Sequence, residues 1–272
     1  MTVTYRLIAL DLDGTLLRTD HTISPHSRRA VARAQAAGIH VTLASGRSYA
    51  SMRPWVQELG ITAPVIGYQG ATVTDPASGV RAFQSVLPTD LLGEVVAFAR
   101  EHDLSLTLYS DDMIYVEDKR HSDAFYERWF GLPWRIVPDL AAPPTEPLVK
   151  FILIGEGPQL DAVQPALVER FGGRLEILRS HEYFLEGLAL GTTKGTALAW
   201  VAERLGVRQE ETVACGDAGN DVAMVEWAGL GVAMANGSDE VKAVADVIAP
   251  HVDEDGVAQI IERYLLNGHG DA

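Results

Sequence analysis

The sequence carries a single cysteine, Cys215, in 272 residues. No intrachain disulfide is possible, so the fold does not depend on an oxidising compartment. No stretch approaches the run of about 18 apolar residues that would cross a bilayer. The opening MTVTYRLIALDLDG reaches Asp11 before any long apolar run develops, so no secretion leader is expected. Positive charge is scarce as well. Lys and Arg number 22 against 37 Asp and Glu, a net charge of −15. A surface of that sign repels phosphate backbones and anionic lipid, which argues against nucleic acid and membrane as partners. With 47% hydrophobic and 22% charged residues the chain is neither disordered nor fibrous. A cytoplasmic globular protein of one large or two ordinary domains is expected.

What is present has an α/β rhythm at both ends. Arg6 to Leu12 is a short, mostly apolar run ending at Asp-Gly, which reads as a strand covered on both faces in a parallel sheet. Ser24-Pro25 opens a helix, with Ser as N-cap and Gly38 beyond its end. Ile39 to Ala44 is the next strand, about Tyr49 to Leu59 a helix bent or broken at Pro54, and Pro64 to Tyr68 a third strand. After Ala82 helices near Thr89 to His102, Ser122 to Phe130 and Leu160 to Phe171 are mixed with strands that follow one another directly. Examples are Leu104 to Tyr109 with Met113 to Glu117 across the turn Ser110-Asp111-Asp112, and Arg174 to Arg179 with Tyr183 to Leu185. A loop holding Pro138, Pro143, Pro144 and Pro147 lies among them. That pattern predicts an antiparallel α+β insertion. From Lys194 the alternation resumes: helix to Leu205, strand Thr212 to Cys215, helix Asn220 to Ala228 and strand Gly231 to Met234. A helix capped by Ser238, strand Val247 to Ala249 and a closing helix Val257 to Leu266 complete it, and the tail from Asn267 is expected to fray. The expected organisation is a Rossmann-like parallel-sheet core, residues 1–83 and 188–272, interrupted by an α+β domain at 84–187.

Polar clusters follow the predicted parallel strands, where open α/β sheets bind ligands. They are Asp11-Leu12-Asp13-Gly14-Thr15, Ser45-Gly46-Arg47, Lys194 at a helix start, and Gly216-Asp217-Ala218-Gly219-Asn220-Asp221. Asp11 and Asp13, two apart, can share a pocket while Leu12 points away, and Gly14 lets the chain turn. A carboxylate can attack phosphorus, and its neighbour can pass protons to and from oxygen. Asp217 and Asp221 add oxygen ligands suited to Mg²⁺. Lys194 is a point charge for phosphate and Ser45 a hydroxyl donor. One such Asp alone is more often a turn former or cap; four clusters in order change that balance. Cys215 reads as a small buried apolar residue, and the acidic run Asp253-Glu254-Asp255 as a solvated loop. His21, His181 and His251 lack metal-ligand spacing.

The series DLDGT, SGR, Lys and GDAGND, with the ending EDGVAQII, resembles the haloacid dehalogenase-like superfamily of phosphohydrolases, and the large insertion resembles its Cof-like subgroup with an α+β cap. The resemblance spans Leu7 to Leu265. It implies Asp11 as nucleophile and Asp13 as general acid/base with a metal-binding backbone carbonyl. Ser45, Gly46, Arg47 and Lys194 would hold the phosphoryl group. Asp217 would bind Mg²⁺ directly, with Asn220 and Asp221 supporting it directly or through water. Where the subgroup often has Asn-Gly-Ala, this chain reads Gln69-Gly70-Ala71, so no polar contact is carried over to Gln69. Asn236 either approaches the site or serves a turn. Expected substrates are sugar phosphates or phosphorylated cofactors, chosen by the insertion, whose candidates include Tyr109, Tyr115, Trp129, Lys150, His181, Tyr183 and Glu186. A sugar phosphomutase and a non-catalytic phosphate-ligand sensor remain alternatives.

Overall fold

The computed structural model describes residues 4–110, 113–142 and 145–266, leaving the side chain of Arg128 aside. Asp111, Asp112, Pro143, Pro144 and the tail from Asn267 lie outside the described residues. The chain forms two compact units, Met1–Ala82 with Thr193–Ala272, and Phe83–Thr192 between them.

The discontinuous unit is built on a five-stranded parallel sheet in the order Val247–Ala249, Leu230–Met234, Thr212–Gly216, Leu7–Leu10, His40–Leu43. Leu7–Leu10 is the strand flanked by the two segments that carry the other polar clusters, and its four side chains are fully buried. A continuous apolar run suits a strand covered on both faces. Each such Leu or Ile contributes about 1.5–3 kcal/mol through burial, and the strand joins one apolar core with Val41, Val213, Val232 and the helices outside the sheet. Cys215 is among these buried residues, its thiol pushed up to about 12 by burial, as expected of a structural rather than a reactive cysteine.

Local signals account for the helices. The Ser24 hydroxyl accepts from the Ser27 N–H at 2.9 Å, starting the helix Pro25–Ala36, and Ser48 does the same from Ser51 at 3.1 Å, starting Tyr49–Glu58. Pro54 sits in the second of these helices without ending it. Ser238 stands at the N-cap of Asp239–Val244, but its side chain makes no capping bond. The last helix is α only over Gly256–Ile260 and widens to a π-helix over Ile261–Leu266. The segment expected as a third parallel strand, Val65–Gly67, makes one isolated parallel bridge, Ala44 with Ile66, and otherwise pairs antiparallel with Thr72–Thr74. The intervening turn is too tight for a crossover helix, so the partner strand returns beside it. The acidic run is solvated at Asp253 and Glu254, as expected, and also anchored. Asp255 accepts from Arg18 at 2.6 Å and faces His26 at 3.4 Å, and Asp253 accepts from Thr19 at 3.3 Å.

The inserted unit is a six-stranded mixed sheet in the order Leu175–His181, Phe184–Ala189, Lys150–Ile154, Ser105–Tyr109, Ile114–Val116, Trp134–Ile136. The α+β reading holds, and the pairings are antiparallel except the last, between Ile114–Val116 and Trp134–Ile136. That edge strand was missed because Pro133 and Pro138 bracket only a short run. Leu92–Glu101 and Gly157–Phe171 cover one face, packing Phe98, Leu160, Leu167 and Phe171 on Leu106, Phe151 and Leu153. Tyr115 belongs to that core. On the alternate positions, Lys150 donates to Glu186 at 2.6 Å in a buried ion pair and lies 5.2 Å from the Tyr109 ring centroid. Trp129, His181 and Phe184 form a ring cluster with centroids 4.6–5.3 Å apart. No helix among the described residues is long and apolar enough to cross a membrane.

Candidate active site

The parallel sheet order brings three of the clusters together at the carboxyl ends of adjacent strands, and Lys194 joins them from the start of the helix Lys194–Leu205. Asp11 leaves Leu7–Leu10 with its N–H on the Cys215 carbonyl at 3.0 Å, tying the first cluster to the strand that carries the last. Leu12 turns into the core and is fully buried, as its alternation with Asp11 and Asp13 requires. Gly14 has φ +85° and a Cβ there would collide with the Asp217 carboxylate, so the turn requires glycine. Its carbonyl accepts from Asn236 Nδ2 at 2.7 Å, while Asn236 Oδ1 accepts from the Val252 N–H at 2.9 Å. Asn236 therefore braces the DLDGT turn, resolving the two readings open for it.

Lys194 is the centre of the charge arrangement. A capping box fixes it at the first position of its helix: Thr196 N–H donates to Thr193 Oγ1 and Thr193 N–H to Thr196 Oγ1, both at 3.1 Å. An ammonium there opposes the helix dipole, and it is 1% exposed. Two carboxylates offset this. Nζ donates to Asp11 Oδ1 and to Asp221 Oδ1, each at 2.6 Å. Burial pulls the ammonium's pKa down, but Asp11 and Asp221 more than compensate, and it stays above its ordinary range. Asp221 Oδ2 also accepts the N–H groups of Asp217 and Ala218 at 2.9 and 3.0 Å. Asp221 thus shapes the GDAGND loop and holds Lys194. Thr15, to which the sequence reading gave no role, aims Asp217 by donating to its Oδ1 at 2.9 Å. Its signal was its place in DLDGT, one residue past the turn.

Asp13 lies further out. Arg47 grips it with Nε on Oδ2 at 2.6 Å and Nη2 on Oδ1 at 2.7 Å, the bidentate geometry a guanidinium favours, which raises Arg47 above its usual range. The guanidinium also lies 5.2 Å from the Trp55 ring centroid. Ser45 is buried, and its Oγ accepts from the Arg47 N–H at 3.2 Å, closing the Ser45-Gly46-Arg47 loop on itself. Asn220 donates to Gln69 Oε1 at 2.9 Å, a contact not anticipated from the sequence.

One carboxylate oxygen from each of Asp11, Asp217 and Asp221 lies within 4.8 Å of the others. All are aspartates, a hard oxygen set that fits a divalent cation such as Mg²⁺. Their crowding shows in the acidity of two of them, Asp11 and Asp217. Burial, then repulsion from Asp221, lifts Asp11 well above the carboxylate range and Asp217 from 3.8 to about 6. For Asp217 the fold therefore disfavours the ionised form. This destabilising contribution is absent below the unfolded value near 3.8, grows as pH rises to about 6, and is full above it. A cation needs the ionised form and cancels the penalty. Mg²⁺ is therefore expected to raise the melting temperature clearly above pH 7 and hardly at all near pH 4.5. A melting series with Mg²⁺ or chelator across that range checks this, and a Mg²⁺-induced shift independent of pH contradicts it.

Known proteins resemble the chain in sequence and fold. The sequence profile of haloacid dehalogenase-like hydrolases matches residues 8–261. The chain is 32% identical over 274 residues to the pyridoxal phosphate phosphatase YbhA of Escherichia coli K12, covering 97% of this chain and 100% of that one. It is 30% identical over 265 residues to the 5-amino-6-(5-phospho-D-ribitylamino)uracil phosphatase YitU of Bacillus subtilis, covering 95% and 97%. The crystal structure of a haloacid dehalogenase-like hydrolase from Bacteroides thetaiotaomicron superposes with a TM-score of 0.83 at 34% identity, over 96% of this chain and 99% of that one. The chain belongs to the haloacid dehalogenase-like hydrolase family.

Proposed function

We propose that this chain hydrolyses small phosphomonoesters through an aspartyl-phosphate on Asp11, with Mg²⁺ held by Asp217, Asp11 and the Asp13 carbonyl. It is a phosphoric monoester hydrolase, and the names of relatives acting on pyridoxal phosphate and on a ribitylaminouracil phosphate support the reading that phosphorylated heteroaromatic cofactors and their precursors come first among its substrates. The observation that carries the reading is the position of Asp11. It stands at the end of the middle strand of the three that bear the clusters, buried, with Lys194 Nζ 2.6 Å from one oxygen and two further carboxylates within ligand distance. Asn220 and Asp221 would support the cation directly or through water, Asp221 while both its oxygens also accept hydrogen bonds.

The cation, when bound, neutralises charge on the phosphoryl oxygens and orients the group. The chain's own residues do the rest. Lys194 and Ser45 hold the phosphoryl oxygens. An Asp11 oxygen forms a bond to phosphorus as the bond to the ester oxygen breaks, and protonated Asp13 gives its proton to that leaving oxygen. Asp13, now a carboxylate, takes a proton from water as the water oxygen attacks phosphorus. The bond to Asp11 then breaks and inorganic phosphate leaves. Arg47 pairs with both oxygens of Asp13, and an arriving phosphoryl group offers its fork an alternative anion. The inserted unit selects the leaving group, and the protein works in the cytoplasm.

A panel of phosphomonoesters assayed for phosphate release with Mg²⁺ tests the reading. Turnover of heteroaromatic or sugar phosphates is expected. Isomerisation of a sugar phosphate without phosphate release would instead make it a mutase, and tight binding of one phosphate ligand without turnover a sensor.

A further inference from the structure

The turn Tyr68-Gln69-Gly70 has three successive residues in left-handed backbone, with φ of 50°, 59° and 103°. Two of them carry side chains, for which this conformation is unfavourable, and all three are buried. Such backbone persists only where its surroundings enforce it. The surroundings here are three of the four clusters. The Tyr68 N–H donates to the Arg47 carbonyl and the Gln69 N–H to the Ser45 carbonyl, both at 3.0 Å. The Gln69 amide nitrogen lies so close over Gly46 that a Cβ there would clash with it. Its amide oxygen accepts from Asn220 Nδ2 at 2.9 Å. A Cβ on Gly70 would run into the Thr193 carbonyl, immediately before Lys194.

We propose that Gln69 is a positioning residue that locks the phosphoryl-holding loop Ser45-Gly46-Arg47 to the cation-holding loop through Asn220, so that the two arms keep one register. This rests on the phosphatase reading above and adds a residue to it. Asn220 has a side chain free to rotate about two bonds. Held by Gln69, it presents its other amide atom in a fixed orientation, as supporting hydrogen bonds do for ligands around metals. Because Gln69 is bound to the Ser45 side by its own backbone, a shift of either loop is transmitted to the other.

The test uses the intact protein with Gln69→Met, which keeps side-chain volume and removes both polar ends, beside Gln69→Ala. Mg²⁺ affinity is measured by calorimetry without substrate, and kcat and KM with the best substrate of the panel. Both variants are expected to bind Mg²⁺ about tenfold more weakly, with kcat down about 10- to 100-fold and KM changed far less. In an Asn220→Ala background, Gln69→Met should weaken Mg²⁺ binding less than twofold further, because the two residues act as one. Unchanged Mg²⁺ affinity in Gln69→Met, or losses that multiply in the double variant, would overturn the proposal. Should Gln69→Ala fail to fold, Gln69→Met decides alone. A wild-type protein that neither binds Mg²⁺ nor releases phosphate defeats the phosphatase reading instead, so the two failures are distinguishable.

Discussion

Asp11→Asn is expected to lower kcat by about 10⁴-fold or more while leaving the metal-free protein as stable as the wild type or more so. The activity loss follows from chemistry: an amide oxygen of the same shape is no nucleophile towards phosphorus. The stability gain follows from the surroundings. Asp11 is 5% exposed, and burial followed by the neighbouring Asp221 holds its carboxyl well above the ordinary range, so carrying a negative charge there is uphill. Asn removes that charge and keeps an oxygen for Lys194 Nζ to donate to. Lys194 is not stranded, because Asp221 also accepts from it at 2.6 Å. A residue retained for folding would behave the opposite way, losing stability when replaced. Kinetics on the best substrate, with thermal melts of both proteins in chelator, separate the two. Activity within tenfold of wild type would remove Asp11 from the reaction, and a large drop in melting temperature would make the substitution uninformative about chemistry and assign Asp11 to the fold.

The sequence disclosed most of this site because its residues sit at strand ends, where turn chemistry and strand periodicity both leave a mark. Asp11 and Asp13 are separated by the buried Leu12, and alternation alone predicts that arrangement. The contacts that escaped notice act across the sheet. Thr15 aims a carboxylate 202 positions away, and Gln69 meets an amide 151 positions away. Nothing local marks such partners. The left-handed turn at Gln69 carries no glycine at its first two positions, so the usual turn signal points only to Gly70. The fold was similarly legible where runs are long and apolar, as in the parallel strands. It was misread where pairing depends on a neighbour: Val65–Gly67 looks like any short buried strand, and its antiparallel partner at Thr72–Thr74 is decided by a turn whose conformation the clusters impose. The Ser238 cap shows the same limit from the other side. The residue stands where a cap belongs, but its hydroxyl makes no capping bond.

Removing the divalent cation is expected to abolish phosphate binding as well as turnover, a stronger outcome than losing turnover alone. The count of charges around the site gives the reason. Asp11, Asp13, Asp217 and Asp221 bring four carboxyl groups; Lys194 and Arg47 bring two cations, and both are already engaged, Lys194 with Asp11 and Asp221 and Arg47 with Asp13. A phosphate dianion approaching the bare site meets net negative charge in a buried setting, where screening by solvent and salt is weak. A bound divalent cation would cancel that net charge and supply a direct partner for the phosphoryl oxygens. Excess chelator should therefore lower kcat/KM by about 10³-fold or more, with Mg²⁺ restoring it. Calorimetric titration with inorganic phosphate should show binding with Mg²⁺ and none without it. Phosphate that binds the metal-free protein equally well would mean that Lys194 and Arg47 suffice as the anion site and that the aspartates serve another purpose. Turnover surviving in excess chelator would remove the cation from the reaction and leave the convergence of Asp11, Asp217 and Asp221 to be explained by the lysine they surround.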